Sequence, residues 1–297
     1  MCGIVGLFLK DKNLEPELGA LTAEMLVKMS DRGPDSAGLA LYSRDKKFNR
    51  KITLKVVCSK ERKLLYEALN EKKKSDYRIE TRANHITIFF SSSKYHLIMN
   101  IINSRAIQFQ VMSEGEQIEI FKEACPPSDF VKLCDMEHFA GTHAVGHTRM
   151  ATESAVTTLG AHPFSTADDQ CLVHNGSLSN HNTIRRRLQS EGQKFETDND
   201  SEVAAAYLSW KMMNGFDLRG ALSAALLELD GFFTFLVGTN RGFGVLRDRI
   251  ACKPAILAET DQYVAFGSEY RALTNLPSID VAKVWEPEPT RVYFWEL

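Results

Sequence analysis

The chain has 297 residues, 44% apolar and 25% charged, which is the composition of a soluble globular protein of one large or two small domains. Its 36 basic and 38 acidic side chains leave a formal net charge of −2, so there is no electrostatic footprint for nucleic acid or for an anionic membrane surface. No apolar run approaches the ~18–20 residues of a membrane span, and the opening MCGIVGLFLKD carries no basic leader, so the chain is expected in the cytoplasm.

Residues 3–9 form a short apolar run of strand length. Pro16 opens a helical pattern with Leu18, Leu21, Met25 and Met29 on one face, followed by a polar stretch over 30–38 and a strand over 39–42. Lysine-rich sequence then covers 44–74, and residues 60–74 predict a surface helix carrying Leu64, Leu65, Ala68 and Leu69. Residues 85–90, 97–102 and 106–112 read as strands, with Glu114-Gly115 as a hairpin turn into a strand over 117–121. Pro126-Pro127 ends this region, and residues 45–140 are expected to form an α+β insertion.

Residues 143–149 and 171–174 read as strands with polar ends. Ser179 or Asn180 is expected to cap a helix through Leu188, and Gly192 to stop it. Asp200 or Ser201 is expected to cap a second helix through Met213, and Asp217 a third with Leu218, Leu222 and Leu229 on its buried face. Strands at 232–238, 243–246, 254–258 and 263–267 complete the pattern. Strands, then helices, then strands, without regular βαβ alternation, predict an α+β fold with antiparallel sheets.

The six cysteines, Cys2, Cys58, Cys125, Cys134, Cys171 and Cys252, form no CxxC pair, so neither a zinc site nor a redox dithiol is suggested. Cys2 stands apart by position. An initiator methionine is normally trimmed ahead of a small residue, which leaves Cys2 with a free α-amine. An amine of ordinary pKa ~7.7–8 suits general-base work at neutral pH, taking the thiol proton directly or through a water. The plain alternative is a buried cysteine at a strand start.

Further motifs decide between these readings. After MCGIVG come RGPDSAG at 32–38, GHTRMAT at 146–152, HPF at 162–164, HNG at 174–176 and TDNDSEV at 197–203. Near the C-terminus stand RDRIACKPA at 247–255 and FGSEYRAL at 266–273. Singly, HNG reads as a tight turn and Asp200 as a helix cap. Together and in this order, the motifs resemble the class II glutamine amidotransferases, members of the N-terminal-nucleophile hydrolases. The resemblance covers the chain except roughly residues 45–140. It implies a four-layer αββα sandwich over 2–297, interrupted by the insertion.

The resemblance also implies roles. Cys2 would be the nucleophile attacking the glutamine δ-carbonyl. The Asn175 side-chain amide and the Gly176 backbone N–H would form the oxyanion hole. Arg149 would grip the substrate α-carboxylate, for which a planar guanidinium offers two parallel hydrogen bonds. Asp200 would recognise the α-ammonium. Arg32 would organise the loop beside the nucleophile, and Thr152 would contact substrate from a segment, 150–160, that closes over glutamine in relatives. No metal and no cofactor are implied.

Three features depart from the family pattern. Met150 stands where several relatives have an aromatic residue, and Glu153 where some have histidine. RDRIACKPA lacks the proline and glycine of the family's RDPxGxKP stretch. The separation from Arg32 to Arg149, 149 − 32 = 117 residues, exceeds that of the amidophosphoribosyltransferase and glucosamine-6-phosphate synthase domains. Glutamate synthase large subunits also have an enlarged spacing here. With no synthase domain, GxGxxG or P-loop in the sequence, ammonia is expected to pass to a separate synthase subunit of glutamate synthase or N-methylglutamate synthase type. Two other readings stay open: a hydrolase of a different amide, and an inactive glutamine-binding regulatory or scaffold subunit.

Overall fold

A computed structural model describes residues 2–56, 58–70, 76–103, 109–151 and 156–297. In chain order its first half holds β1 (Gly3–Leu9), α1 (Leu18–Lys28), β2 (Ser36–Tyr42), β3 (Arg50–Lys55), α2 (Ser59–Asn70), β4 (Tyr77–Arg82), β5 (His85–Phe90), α3 (Tyr95–Ile102), β6 (Gln110–Gly115), β7 (Ile118–Glu123) and α4 (Pro127–Leu133). The second half holds β8 (His143–Arg149), β9 (Phe164–Ala167), β10 (Gln170–Leu178), α5 (His181–Ser190), α6 (Asp200–Met213), α7 (Leu218–Glu228), β11 (Gly231–Thr239), β12 (Gly242–Arg247), β13 (Ile256–Glu259), β14 (Tyr263–Gly267), β15 (Lys283–Trp285) and β16 (Tyr293–Glu296). Among the described residues, no helix is long and apolar enough to cross a membrane.

Strand β1 shows why the sheets stack. All seven of its residues are buried, because both of its faces are covered, and such a strand reads as a continuous apolar run. Side chains alternate along it. Val5, Leu7 and Leu9 pack with Leu18, Met25, Leu26 and Met29 on the α1 side. Ile4 and Phe8 point the other way, to Val173, Leu236 and Val245 of a second sheet. Each such side chain, fully buried, contributes ~1.5–3 kcal/mol over leaving it in water.

The first sheet has seven strands in the order β15-β13-β14-β1-β8-β2-β7, and the second has five in the order β16-β12-β11-β10-β9. The far face of the second sheet, with Leu172, Phe233, Phe235 and Leu246, is covered by α5, α6 and α7. Helix α6 is buried almost all round, with residues 203–208 apolar without a break, as suits a helix wedged between a sheet and other helices. The layers run helix, sheet, sheet, helix, which is the αββα sandwich expected from the sequence.

A third sheet, β4-β5-β3-β6, has its own core, in which Ile52, Ile86 and Ile88 meet Leu65 and Leu69 of α2 and Ile98 and Ile102 of α3. It falls inside the 45–140 range. Two later elements of that range belong to the main body instead: β7 pairs with β2, and Phe130 of α4 packs in the cluster around α1.

Two local expectations are corrected. Residues 97–102 are helical, not extended: Ile98 and Ile102, four apart, both face the third sheet. A short apolar run does not separate helix from strand by periodicity alone. Glu114-Gly115 does not close a hairpin, because β6 pairs with β3 while β7 pairs with β2. The chain crosses between sheets there. Asp169 fixes the crossing by accepting from the backbone N–H of Glu116 and Gln117 at 2.8 Å and of Ile118 at 3.0 Å.

Candidate active site

Cys2 sits at the leading end of β1 and is partly exposed. Its carbonyl oxygen accepts from Arg32 Nε at 3.0 Å and from Asn175 Nδ2 at 3.2 Å. Its Sγ lies 3.9 Å from the Met150 carbonyl oxygen. The next residue has to be glycine: a Cβ on Gly3 would come within 2.7 Å of Thr148 Oγ1 and 2.9 Å of Met29 Cβ. Ser268 fastens the strand start from the other side, donating its N–H to the Ile4 carbonyl at 2.9 Å and accepting from Ile4 N through Oγ at 2.9 Å.

Arg32 follows α1 and is buried. Its Nη1 meets Glu269 Oε1 at 2.5 Å, and Glu269 Oε2 meets Arg271 Nε at 2.7 Å. The hydrogen bond from Arg32 holds the Glu269 carboxyl below its usual range. The rest of RGPDSAG wraps the end of β8. Gly33 lies so close to the Thr148–Arg149 backbone that a Cβ would strike it. Asp35 donates its N–H to the Arg149 carbonyl at 3.1 Å, and its Oδ2 accepts from Ala151 N at 2.8 Å. Arg149 is thus gripped at its backbone on both sides, and its side chain is largely buried. Thr152 and Glu153 lie outside the described residues.

HNG is not a turn. It runs through the middle of β10, with Asn175 opposite Thr234 and Gly176 opposite Phe233. Gly176 has φ +151°, and a Cβ there would strike the Phe232 carbonyl oxygen. His174 Nδ1 meets Ser201 Oγ at 2.9 Å and stands 3.8 Å from Asp200 Oδ1. Burial lowers the His174 pKa to about 4 against the pull of Asp200. His147 is pushed to about 3 by burial, and its Nε2 reaches the His174 carbonyl at 3.2 Å. That nitrogen therefore carries the proton, since a carbonyl only accepts. The His147 ring stacks on His162 at 4.1 Å.

Asp200 is the first residue of α6 but not its cap. Asn199 caps the helix, accepting from Ser201 N at 2.8 Å, where the sequence pointed to Asp200 or Ser201. Asp200 instead accepts from Leu178 N at 2.8 Å, three residues beyond Asn175 on β10. Glu202 secures the preceding turn by accepting from the N–H groups of Glu196 at 2.7 Å and Thr197 at 2.8 Å. The structure therefore gathers Cys2, Arg32 and Asn175 in direct contact. It sets Arg149 and Asp200 on the elements flanking them. Sequence reasoning singled out neither Asp35 nor Glu269 nor Ser268, although all three lie in the quoted motifs.

A family model described as "Glutamine amidotransferase domain" matches residues 135–294. The chain is 54% identical over 302 residues to "Glutamine amidotransferase-like protein GlxB" of Rhizobium meliloti (strain 1021), covering 100% of this chain and 98% of that protein. A relative from Methanothermobacter thermautotrophicus is 33% identical over 311 residues and is covered completely, as is this chain. Among solved structures, glutamine phosphoribosylpyrophosphate amidotransferase from B. subtilis superposes with a TM-score of 0.64 at 18% identity, covering 99% of this chain and 47% of that one. The chain thus spans about half the length of that solved structure, and the likeness is one of fold.

Proposed function

The chain belongs to the class II glutamine amidotransferases, amidohydrolases of the N-terminal-nucleophile kind, and on that premise we propose that it hydrolyses the side-chain amide of glutamine through Cys2. The observation that carries this reading is the convergence of two separate motifs on Cys2: the Asn175 amide and the Arg32 guanidinium both donate to its carbonyl.

With Met1 removed, the Cys2 α-amine takes the thiol proton and Sγ attacks the δ-carbonyl carbon. The new C–S bond pushes an electron pair onto oxygen, where Asn175 Nδ2 and the Gly176 N–H are the proposed donors. Collapse breaks the C–N bond, and the amine's proton leaves with the nitrogen as ammonia. Water, deprotonated by the same amine, then cleaves the γ-glutamyl thioester, returning the thiol and releasing glutamate.

Arg149 is the proposed partner of the substrate α-carboxylate and Asp200 of its α-ammonium, with Thr152 a further contact. That Asn199 serves as the helix cap supports the role of Asp200, since the carboxylate is not needed for capping. Arg32 holds the start of β1, and with it the nucleophile, against Glu269.

We further propose that residues 2–297 act as one domain carrying the 45–140 region as an insertion, in the cytoplasm, and pass ammonia to a separate synthase subunit of glutamate synthase-like type. The 54%-identical relative, itself named a glutamine amidotransferase-like protein, supports the amidotransferase part of this reading. Glutamate release by the Met-trimmed protein, beside Cys2→Ala, tests the activity: hydrolysis is expected only in the former. Purification from native cells without any synthase subunit counts against the partnership.

A further inference from the structure

Two buried lysines end on one short stretch of chain. Lys55, on β3 of the third sheet, sends its Nζ to Thr158 Oγ1 at 2.7 Å and pairs with Glu123 Oε2 on β7. Lys122, the neighbour of Glu123, sends its Nζ to the carbonyl oxygens of Leu159 at 3.3 Å, Ala161 at 3.0 Å and Pro163 at 3.3 Å. Burying an ammonium group costs several kcal/mol unless it is paired and hydrogen-bonded. Glu123 supplies the opposite charge for Lys55, Glu196 and Glu202 act on Lys122, and residues 158–163 supply acceptors to both.

That stretch leads to two residues of the site. Gly160 backs onto Arg149, whose Nη1 would lie 3.5 Å from a Cβ placed on the glycine. His162 stacks on His147, which bonds the His174 carbonyl next to Asn175. A continuous set of packed and hydrogen-bonded groups therefore runs from the third sheet to both the proposed carboxylate clamp and the proposed oxyanion donor.

We propose that Lys55 and Thr158 are positioning residues for glutamine recognition: through their contact the third sheet holds residues 158–163 against Arg149 and so sets the guanidinium that receives the α-carboxylate. The inference rests on the reading of Arg149 given above. It gives the inserted sheet a task in substrate binding, distinct from carrying a partner.

The test measures KM and kcat for glutamine in Lys55→Met, Lys55→Arg, Thr158→Val and the Lys55→Met/Thr158→Val double variant. Thr158→Val removes one hydroxyl and keeps the shape, so it stands if Lys55→Met fails to fold. KM is expected to rise about five- to tenfold in Thr158→Val and Lys55→Met, with kcat within about twofold and no further loss in the double variant. Lys55→Arg should recover most of the affinity. Labelling of Cys2 by a diazoketone analogue of glutamine should slow in step with KM, while its alkylation by iodoacetamide, which needs no carboxylate recognition, keeps the wild-type rate. An active wild type whose Thr158→Val and Lys55→Met variants keep its KM overturns the inference alone. A trimmed wild type that neither hydrolyses glutamine nor takes the diazoketone overturns the underlying reading, and the inference with it.

Discussion

Replacing Asn175 with alanine removes a buried amide whose Nδ2 donates to the Cys2 carbonyl at 3.2 Å. Two accounts of that amide predict different magnitudes. If it only fastens the start of β1, its loss removes one neutral hydrogen bond, ~0.5–1.5 kcal/mol, or at most about a tenfold effect on kcat. If it also receives the developing oxyanion, ~2.7–4 kcal/mol of transition-state stabilisation is lost, which is about 100- to 1000-fold in kcat. The donor is made only stronger by the water-poor setting, because Asn175 is buried on a strand paired with β11 and cannot be replaced by solvent without rearrangement. Stability should fall by only ~1 kcal/mol in the same variant, since the chain keeps every backbone bond of β10. Glutamate release gives kcat and KM, and urea unfolding gives the stability. Asn175→Asp, which turns the donor into a charged acceptor of nearly the same shape, should be worse than alanine in kcat. An Asn175→Ala enzyme within tenfold of wild-type kcat refutes the oxyanion role.

Gly176→Ala should destabilise the fold by at least ~1–3 kcal/mol, because φ +151° is disfavoured for any L side chain and the Cβ would strike the Phe232 carbonyl; an unchanged urea midpoint contradicts this. Acid should weaken the fold from ~6.5 downward. His85, His143 and His147 are lowered to about 3 and His174 to about 4, all by burial, so between those values and ~6.5 the unfolded chain binds more protons than the folded one. Stability is then complete above ~6.5 and falls with decreasing pH, by ~1.4 kcal/mol per unit for each such histidine. A urea midpoint that stays level from pH 7.5 to 5.5 contradicts the burial of these rings as neutral groups.

The parts of the fold that were legible in the sequence are those whose environment is local or uniform. Strand β1 reads plainly because both faces are buried, and Asp217 caps α7 as its position implies, accepting from Gly220 N at 2.7 Å. Residues 97–102 are ambiguous because six apolar-rich residues fit a helix or a strand, and the packing of Ile98 and Ile102 on the third sheet decides. The cap of α6 was misplaced by one residue for a similar reason. Asn199, Asp200 and Ser201 are all good caps, and the Leu178 N–H, 22 residues away, draws Asp200 off. For the proposed site, the motifs named Cys2, Arg32, Arg149, Asn175, Gly176 and Asp200. What they did not give is the pairing: Ser268 and Glu269 stand within a quoted motif but act on Ile4 and Arg32 from more than two hundred residues away, and Lys55 reaches Thr158 from the third sheet. Such pairings leave no periodic trace in a single sequence.

The most direct measurement is acid-quenched mass spectrometry of the protein during turnover with glutamine. The account predicts a glutamyl group, carried as a thioester, on the peptide that begins with Cys2 and has lost Met1. Turnover by protein that retains Met1, or a glutamyl group found on any other residue, contradicts it.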